Sequence, residues 1–340
     1  MPTSMQESNI SFVEIYEESA WTELLTSLPS SSAYMTWSWG QYKLRRGWTV
    51  HRIRVCDATA HAFLGCFQLQ KKKLGVVTIL LIQGGIHTQE PSDTKYHEIL
   101  QSFLQANVTG KRLTVAIVDP KAAWSQGAQL GLLTSKFSPV LNSTMYTYVL
   151  DLVSGAMNGE TLSRNWRHNL KRAQKMPQLS SRWIDDPKER PAAIDRLESF
   201  YTSVRHRKTF SAAIDFDLAR DLIVANEDFK IVEAWLDGEV IAARVGFFCN
   251  DHVLDFLAAS GDAAKNTYAN YLLLWEMIRM AHAKGKLHFD CGGINPAESM
   301  GVFNFKKGLG GRLVVNGPMW LHGSSWMVKH VARLLLSQKH

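Results

Sequence analysis

Residues 301–311 read GVFNFKKGLGG, which sets Lys306 and Lys307 against Phe303 and Phe305 and just ahead of Gly308, Gly310 and Gly311. An ammonium held beside glycine-rich backbone can approach a carbonyl oxygen or a phosphate closely. Lys306 is the candidate to meet such an oxygen, and Lys307 fits a solvated role. Asp119, in RLTVAIVDP, and Asp290, in LHFDCGG, each close an apolar run and are candidates to accept a proton. Aspartate ahead of glycine is also common turn chemistry, so pinning the Gly292-Gly293 loop through backbone amides is the better reading of Asp290.

Basic residues offer a second kind of site. Lys43 stands beside Arg45 and Arg46 in WSWGQYKLRRGW, and Arg207 lies in VRHRKTF. Lysine meets phosphate as a point charge and arginine as a fork. In LSRNWRHNLKRAQKM (162–176), Leu162, Trp166, Leu170 and Ala173 share a helical face, while Arg164, Arg167, Lys171, Arg172 and Lys175 point elsewhere. This helix reads either as a solvated interdomain segment or as a platform for phosphate through Arg167 and Lys171. No carboxylate interrupts it, which favours the platform.

The elements that position these residues follow a repeated order. WTVHRIRV, AHAFLGCFQLQ and VVTILLIQGG read as three strands, followed by the helix PSDTKYHEILQSFLQAN and the strand ending at Asp119. Ser92 or Asp93 can cap that helix, and Tyr96, Ile99, Leu100 and Leu104 share one face of it. The second half repeats this with KIVEAWL, a turn at Asp237-Gly238, EVIAARVGFF, a turn at Asn250-Asp251, and HVLDFLAAS. NTYANYLLLWEMIRMAHAKG is the helix, its stripe running through Tyr268, Tyr271, Leu272, Trp275, Ile278 and Ala281, and the last strand ends at Asp290. Each half also opens on helical material, FVEIYEESAWTELLTSL in the first and PAAIDRLESFYTSVRHR in the second. The C-terminal SSWMVKHVARLLLSQKH is a basic amphipathic helix with Trp326, Val328, Val331, Leu334 and Leu335 apolar. It is expected to pack on the second half, with contact to an inner membrane as the lesser alternative.

The bulk numbers agree with two packed cores. The 340 residues exceed one ordinary core, and 46% hydrophobic with 20% charged residues describe a globular chain. A net charge of +7 suggests an anionic partner such as nucleic acid, a diphosphate or a membrane surface. Cys56, Cys66, Cys249 and Cys291 show neither a CxxC pair nor zinc-ligand spacing, so reduced thiols and no metal are expected. The N-terminus lacks the basic and apolar regions of a secretory signal, and no apolar run reaches about 18 residues. A cytoplasmic protein is expected, with peripheral contact at the inner membrane as an extension.

Three stretches together resemble one family: WRHNLKRAQK (166–175), FYTSVRHRKTF (200–210), and 270–311 with DCGGI followed by FKKGLGG. They are similar to the Fem family of peptidyltransferases, which build peptidoglycan bridges from aminoacyl-tRNA and consist of two GNAT-like domains. They also resemble a broader bacterial group of GNAT-like acyltransferases of polysaccharide assembly. The resemblance implies an α+β chain of two tandem GNAT-like domains, an acceptor-side domain at 1–152 and a donor-side domain at 153–340 with a basic linking helix at 162–176. It places Phe305 and Lys306 at the acyl-donor end, Asp119 at the acceptor or reacting amine, and Lys43 and Arg207 on the diphosphate of a nucleotide-linked acceptor. Asp119 thereby becomes the better base candidate, although substrate-assisted deprotonation would need neither aspartate. Phe256 stands where members often carry a tyrosine, so any role of that hydroxyl is lost or moved here. No long helical hairpin of the kind some Fem enzymes use for tRNA is visible.

The implied activity is N-acyl transfer from aminoacyl-tRNA to an amine of a nucleotide- or lipid-linked sugar or muropeptide precursor, without a cofactor. Acyl-CoA-dependent acylation of an amino sugar is the nearer rival, and a catalytically inactive module binding RNA or another anion is the distant one. GNAT enzymes that use acyl-CoA usually carry Q/R-x-x-G-x-G/A ahead of a helix whose bare amides hold the pyrophosphate. The corresponding KNTYAN has Tyr268 and Asn270 in place of the glycines, and the glycines of QGGIHTQEPSD in the first half have the wrong spacing.

Overall fold

The computed structural model of the chain describes residues 9–28, 32–89, 93–120, 126–140, 146–153, 159, 161–207, 216–249, 251–297 and 299–337. Two compact units divide it: one is built from 1–145 together with 315–340, the other from 146–314.

The first unit contains β1 (Ile10–Glu14), α1 (Glu18–Thr26), a 3-10 turn (Ala33–Met35), α2 (Trp37–Arg45), β2 (Thr49–Asp57), β3 (Phe63–Leu74), β4 (Val77–Gln83) and β5 (His87–Thr88). It continues with α3 (Asp93–Asn107), β6 (Thr114–Asp119), α4 (Gln126–Thr134) and β7 (Ser138–Val140). The second unit contains β8 (Tyr146–Asp151), α5 (Arg164–Gln174), β9 (Leu179–Trp183), α6 (Arg190–Arg207), α7 (Phe216–Ala225), β10 (Phe229–Leu236), β11 (Glu239–Cys249) and β12 (His252–Ser260). Then come α8 (Ala263–Asn266), α9 (Ala269–Ala283), β13 (His288–Asp290), α10 (Met300–Lys307) and β14 (Arg312–Val315). Finally β15 (Met319–Gly323) and α11 (Trp326–Ser337) return to the first unit.

The repeat is present in three dimensions. β2, β3 and β4 form an antiparallel meander, and β6 joins β4 in parallel after α3. β10, β11 and β12 do the same, and β13 joins β12 in parallel after α9. The hairpin between β10 and β11 turns on Asp237 (φ +49°) and Gly238 (φ +87°), the two left-handed residues that a tight hairpin requires. Val77 follows Leu74 across an equally short turn in the first unit, with Gly75 at φ +58°. β11 is buried without interruption from Ile241 to Cys249, so its run of apolar residues reads as a strand covered on both faces. Tyr96, Ile99, Leu100 and Leu104 are buried on α3, as their spacing predicts. α9 is buried more widely than its stripe, Leu273, Leu274 and Met277 included.

Both sheets are completed by strands that the periodicity does not announce. The first runs β1-β2-β3-β4-β6-β15-β7 with β5 on β3, and the second runs β14-β8-β13-β12-β11-β10-β9. β8 pairs with β13 although it precedes the expected boundary after residue 152, and β15 pairs with β6 although it lies in the expected second domain. A boundary drawn from sequence order misses both because strand pairing is non-local. The 162–176 helix is correspondingly no linker: Leu162, Trp166, Leu170 and Ala173 are buried in the second core beside α9.

Two further expectations change, and one stretch without an expected element gains one. Residues 12–14, expected to open a helix, instead belong to β1 on β2, with Ile10 and Phe12 packed on the core and Val13 exposed, a period of two. The stretch around Lys306, to which the sequence reading assigns no element, is helix α10. α11 packs on the first sheet rather than the second unit, with Val328 and Ala332 against Val115, Ile117, Val140 and Leu321. Ser92 lies outside the described residues, as do the side chain of Asp93 and Asn250.

Candidate active site

In the second unit β12 and β13 stay paired from His252 and His288 to Leu254 and Asp290. Beyond that point they part. On its other side β12 carries a bulge: Leu257 faces Val245 and Asp255 faces Gly246, so Phe256 has no opposite residue. Phe256 therefore marks the bulge in mid-strand, its ring edge-on to Phe229 at 5.1 Å. The Cys291-Gly292-Gly293 segment leaves β13 beside this bulge. Gly292 sits at φ +71°, where a Cβ would lie 2.7 Å from the Asp255 carbonyl and 3.6 Å from Lys306 Nζ. Only glycine lets the loop pass this close.

α10 delivers Lys306 to the same place from its last turn. The ammonium donates to the Gly293 carbonyl at 3.0 Å. Burial pushes its pKa down, and the nearby Asp255, Cys291 and Asp290 oppose that while Arg244 adds to it. Asp290 is the loop pin: its Oδ1 accepts the Gly292 N–H at 2.8 Å and the Thr147 hydroxyl, which also donates to the Gly292 carbonyl at 2.9 Å. Burial raises the pKa of Asp290, partly offset by those hydrogen bonds.

Phe305 anchors α10 from below, edge-on to Tyr271 at 4.9 Å and 5.9 Å from Trp166. Its carbonyl accepts from Trp166 Nε1 at 3.1 Å, so α5 holds α10 directly. The glycines after Lys307 serve this packing rather than a phosphate cradle. A Cβ at Gly308 would meet Trp166, one at Gly310 would overlap the Thr161 carbonyl, and one at Gly311 would lie 2.8 Å from the Val149 carbonyl.

Arg244 and Asp255, which the sequence reading passes over, lie beneath Lys306. Arg244 Nη1 donates to Asp255 Oδ2 at 2.5 Å, and both side chains are 4% exposed. Arg244 also lies 6.0 Å from the Phe305 ring centroid. Asp255 Oδ1 and Arg244 Nε have no hydrogen-bond partner among the described residues. A signal was available, since Arg244 is the one charged residue inside the buried run of β11.

Lys43 and Asp119 come together in the first unit. Asp119 ends β6 opposite Gln83 of β4 and is 7% exposed. Lys43, on α2, lies over the rings of Trp39 (5.0 Å), Trp48 (5.2 Å) and Tyr42 (6.0 Å). Burial lowers its pKa to about 8, with Asp119 opposing and Lys72 adding. Gln70, the Gln68 and Gln83 Oε1 atoms and the Trp39 indole N–H are buried there without partners among the described residues, which suits a polar ligand.

This arrangement has a testable sign. The folded pKa of Lys43 lies below its unfolded value of about 10.4, so below pH 8 the folded chain carries the full penalty of a desolvated ammonium, which fades as pH rises from about 8 to about 10. Lys43→Met is therefore expected to raise the melting temperature at pH 7 and to lose that advantage as pH approaches about 10; calorimetry across pH reads both.

Arg167 and Lys171 lie on the exposed face of α5, and Arg172 packs over Tyr268 at 4.6 Å. Arg207 closes α6, and its side chain lies outside the described residues. At the start of α9 Tyr268 adopts φ +57°, and Asn270 Nδ2 bonds Ser260 Oγ at 3.1 Å. Among the described residues no group of three His, Cys, Asp or Glu side chains is placed to hold a metal ion.

Residues 161–307, which span α5 to α10, match the acetyltransferase (GNAT) domain family. The solved structure of FemX is similar to the chain with a TM-score of 0.78, covering 96% of it and 100% of FemX at 13% identity. The chain shares the fold of tandem GNAT proteins, and the domain match falls in its second unit. A C-terminal domain described as that of a lysylphosphatidylglycerol synthetase from Agrobacterium fabrum aligns at TM-score 0.58, with 14% identity, 94% of this chain and 96% of that one. A tandem GNAT protein from the clavulanic acid biosynthesis pathway aligns at 0.50, with 10% identity over 93% of this chain and 99% of that one. Searched by sequence, curated proteins give no significant match. Within this fold the second unit brings Lys306, Phe305 and Asp290 to the strand split, and the first unit brings Lys43 to Asp119.

Proposed function

We propose that the protein transfers an aminoacyl group from aminoacyl-tRNA to an amine of a nucleotide- or lipid-linked cell-envelope precursor, without a cofactor. The acceptor nitrogen attacks the ester carbonyl to form the C–N bond and a tetrahedral oxyanion, which collapses by breaking the C–O bond to the ribose as the amine proton passes to the departing oxygen. Lys306 stabilises the intermediate oxyanion, and Asp290 holds the loop against which its ammonium rests. Asp119 is the candidate to orient or deprotonate the amine, and Lys43 and Arg207 are the candidates to hold an acceptor diphosphate.

The observation that carries this reading is the start of α9. Tyr268 and Asn270 occupy the helix N-terminus where an acyl-CoA enzyme offers bare amides to pyrophosphate, and Arg172 covers the Tyr268 ring. The fold shared with FemX agrees with the Fem resemblance of the 166–175, 200–210 and 270–311 stretches. Acylation of an amino sugar from acyl-CoA is the second reading, favoured by the acetyltransferase description of the matching domain family.

A donor screen separates the two: charged tRNA pools and acyl-CoAs are offered with mixed amino-sugar and muropeptide acceptors, and products are read by mass. Transfer from charged tRNA is expected, with no thermal stabilisation by CoA; transfer from acyl-CoA alone overturns the proposal. Reversing Arg167 and Lys171 to glutamate should weaken tRNA binding and flatten the dependence of log affinity on log salt by about two. An unchanged salt slope would remove α5 from the donor site.

A further inference from the structure

α11 has two apolar faces, only one of which is used by the fold. At about 100° per residue, Val328 and Ala332 fall on the side that packs on the first sheet. Trp326, Met327, Val331 and Leu334 fall on a separate arc of about 140°. Their exposures are 77%, 68%, 52% and 53%, among the highest of any large apolar side chains in the described residues. The His330 ring lies in the same arc, stacked on Trp326 at 5.2 Å.

The remaining sector is basic. Lys329 and Arg333 border the exposed arc, and Ser324–His340 contains Lys329, His330, Arg333, Lys339 and His340 but no acidic residue. Lys329 also donates to the Lys136 carbonyl at 2.8 Å, which ties α11 to the end of α4, where Leu130 and Leu133 are exposed as well. A solvated helix does not present four large apolar side chains together, because each leaves its surface in water.

We infer that α11 is an interfacial helix that seats on an anionic lipid bilayer, with Trp326, Met327 and Val331 entering the headgroup–acyl boundary and Lys329 and Arg333 meeting lipid phosphates. Charge selects this occupant. A second copy packed face to face about a twofold axis would set the basic border of one α11 against that of the other, whereas anionic headgroups complement it. Tryptophan at the entry of the helix and basic stems beside the apolar arc suit an interface, where one end of each side chain is wet. Among the described residues no helix is long and apolar enough to cross a membrane, so seating on the surface is the mode that α11 permits. This goes beyond the transfer reading, and bilayer binding is measured without turnover, so either can fail alone.

The test is co-sedimentation of the full chain with vesicles of phosphatidylglycerol and phosphatidylcholine, and with vesicles of phosphatidylcholine alone. Binding to the anionic vesicles is expected, weakened by salt and about tenfold or more weaker on phosphatidylcholine. Trp326→Ala with Val331→Ala, both exposed and dispensable for folding, should lower partition about tenfold, and Arg333→Gln about fivefold. Failure to bind anionic vesicles overturns the inference, as does partition unchanged in the double variant. Binding that is indifferent to Arg333→Gln and to salt overturns the choice of anionic lipid. A concentration-dependent dimer in sedimentation velocity that the double variant abolishes assigns the face to a second copy instead.

Discussion

Lys306→Ala is expected to lower turnover by about a hundredfold to a thousandfold while leaving the Michaelis constant for the donor nearly unchanged. The reason is geometric. Lys306 Nζ stands at the point where β12 and β13 separate, 3.0 Å from the Gly293 carbonyl and beside the Gly292 backbone. In the resting protein it is a desolvated ammonium whose pKa burial depresses. A developing oxyanion would give it the full charge partner it lacks, so its contribution grows in the transition state and not in the ground state. Folding should survive the change, because α10 is held by Phe305 and by the Trp166 hydrogen bond rather than by the lysine. Lys306→Arg should recover little, since a planar fork does not replace a point charge in so tight a gap. Single-turnover rates with charged tRNA, with circular dichroism as the folding control, check this; turnover within threefold of the native protein would exclude the oxyanion role.

The second large effect lies one layer deeper. Asp255→Ala should destabilise the protein by about 3–5 kcal/mol, because it strands Arg244 in a site where its side chain is 4% exposed. Arg244→Met alone should cost a similar amount by stranding Asp255. The double variant Arg244→Met with Asp255→Leu should regain most of that stability, since well-packed apolar residues often replace a buried pair at little cost. Its turnover should nevertheless remain low, because Asp255 also faces Lys306 and opposes the fall in its pKa. Urea titrations of the four proteins together with their pH–rate profiles separate the two roles. A double variant with native stability and a native profile would make the pair purely structural, and single variants losing under about 1 kcal/mol would contradict the burial argument.

Much of the site was legible in the chain. Asp119 and Asp290 end strands as the apolar runs before them predict, and the β2-β3-β4 and β10-β11-β12 meanders follow from alternation and turn residues. The buried faces of α3, α5 and α9 fall where helical spacing puts them. The purpose of the glycines did not show, because GLGG reads equally as phosphate cradle or as close packing. Contact with Thr161 and Val149, more than a hundred residues away, decides for packing. Asp255 was invisible for a related reason: HVLDFLAAS shows a carboxylate in a strand but not the arginine that neutralises it on the neighbouring one.

The local elements, the duplicated order of meander, helix and strand, the strand-end aspartates and the basic face of α5 are all written in the chain, because each depends on neighbours a few residues apart. Only the folded chain shows that β8 completes the second sheet and β15 the first, that α10 is a helix aimed at the split between β12 and β13, and that Arg244 and Asp255 lie beneath Lys306. The physical reason is that periodicity records which side of an element is buried, whereas strand partners, close glycine contacts and buried charge pairs are chosen by groups distant in the chain, whose identity no local pattern carries.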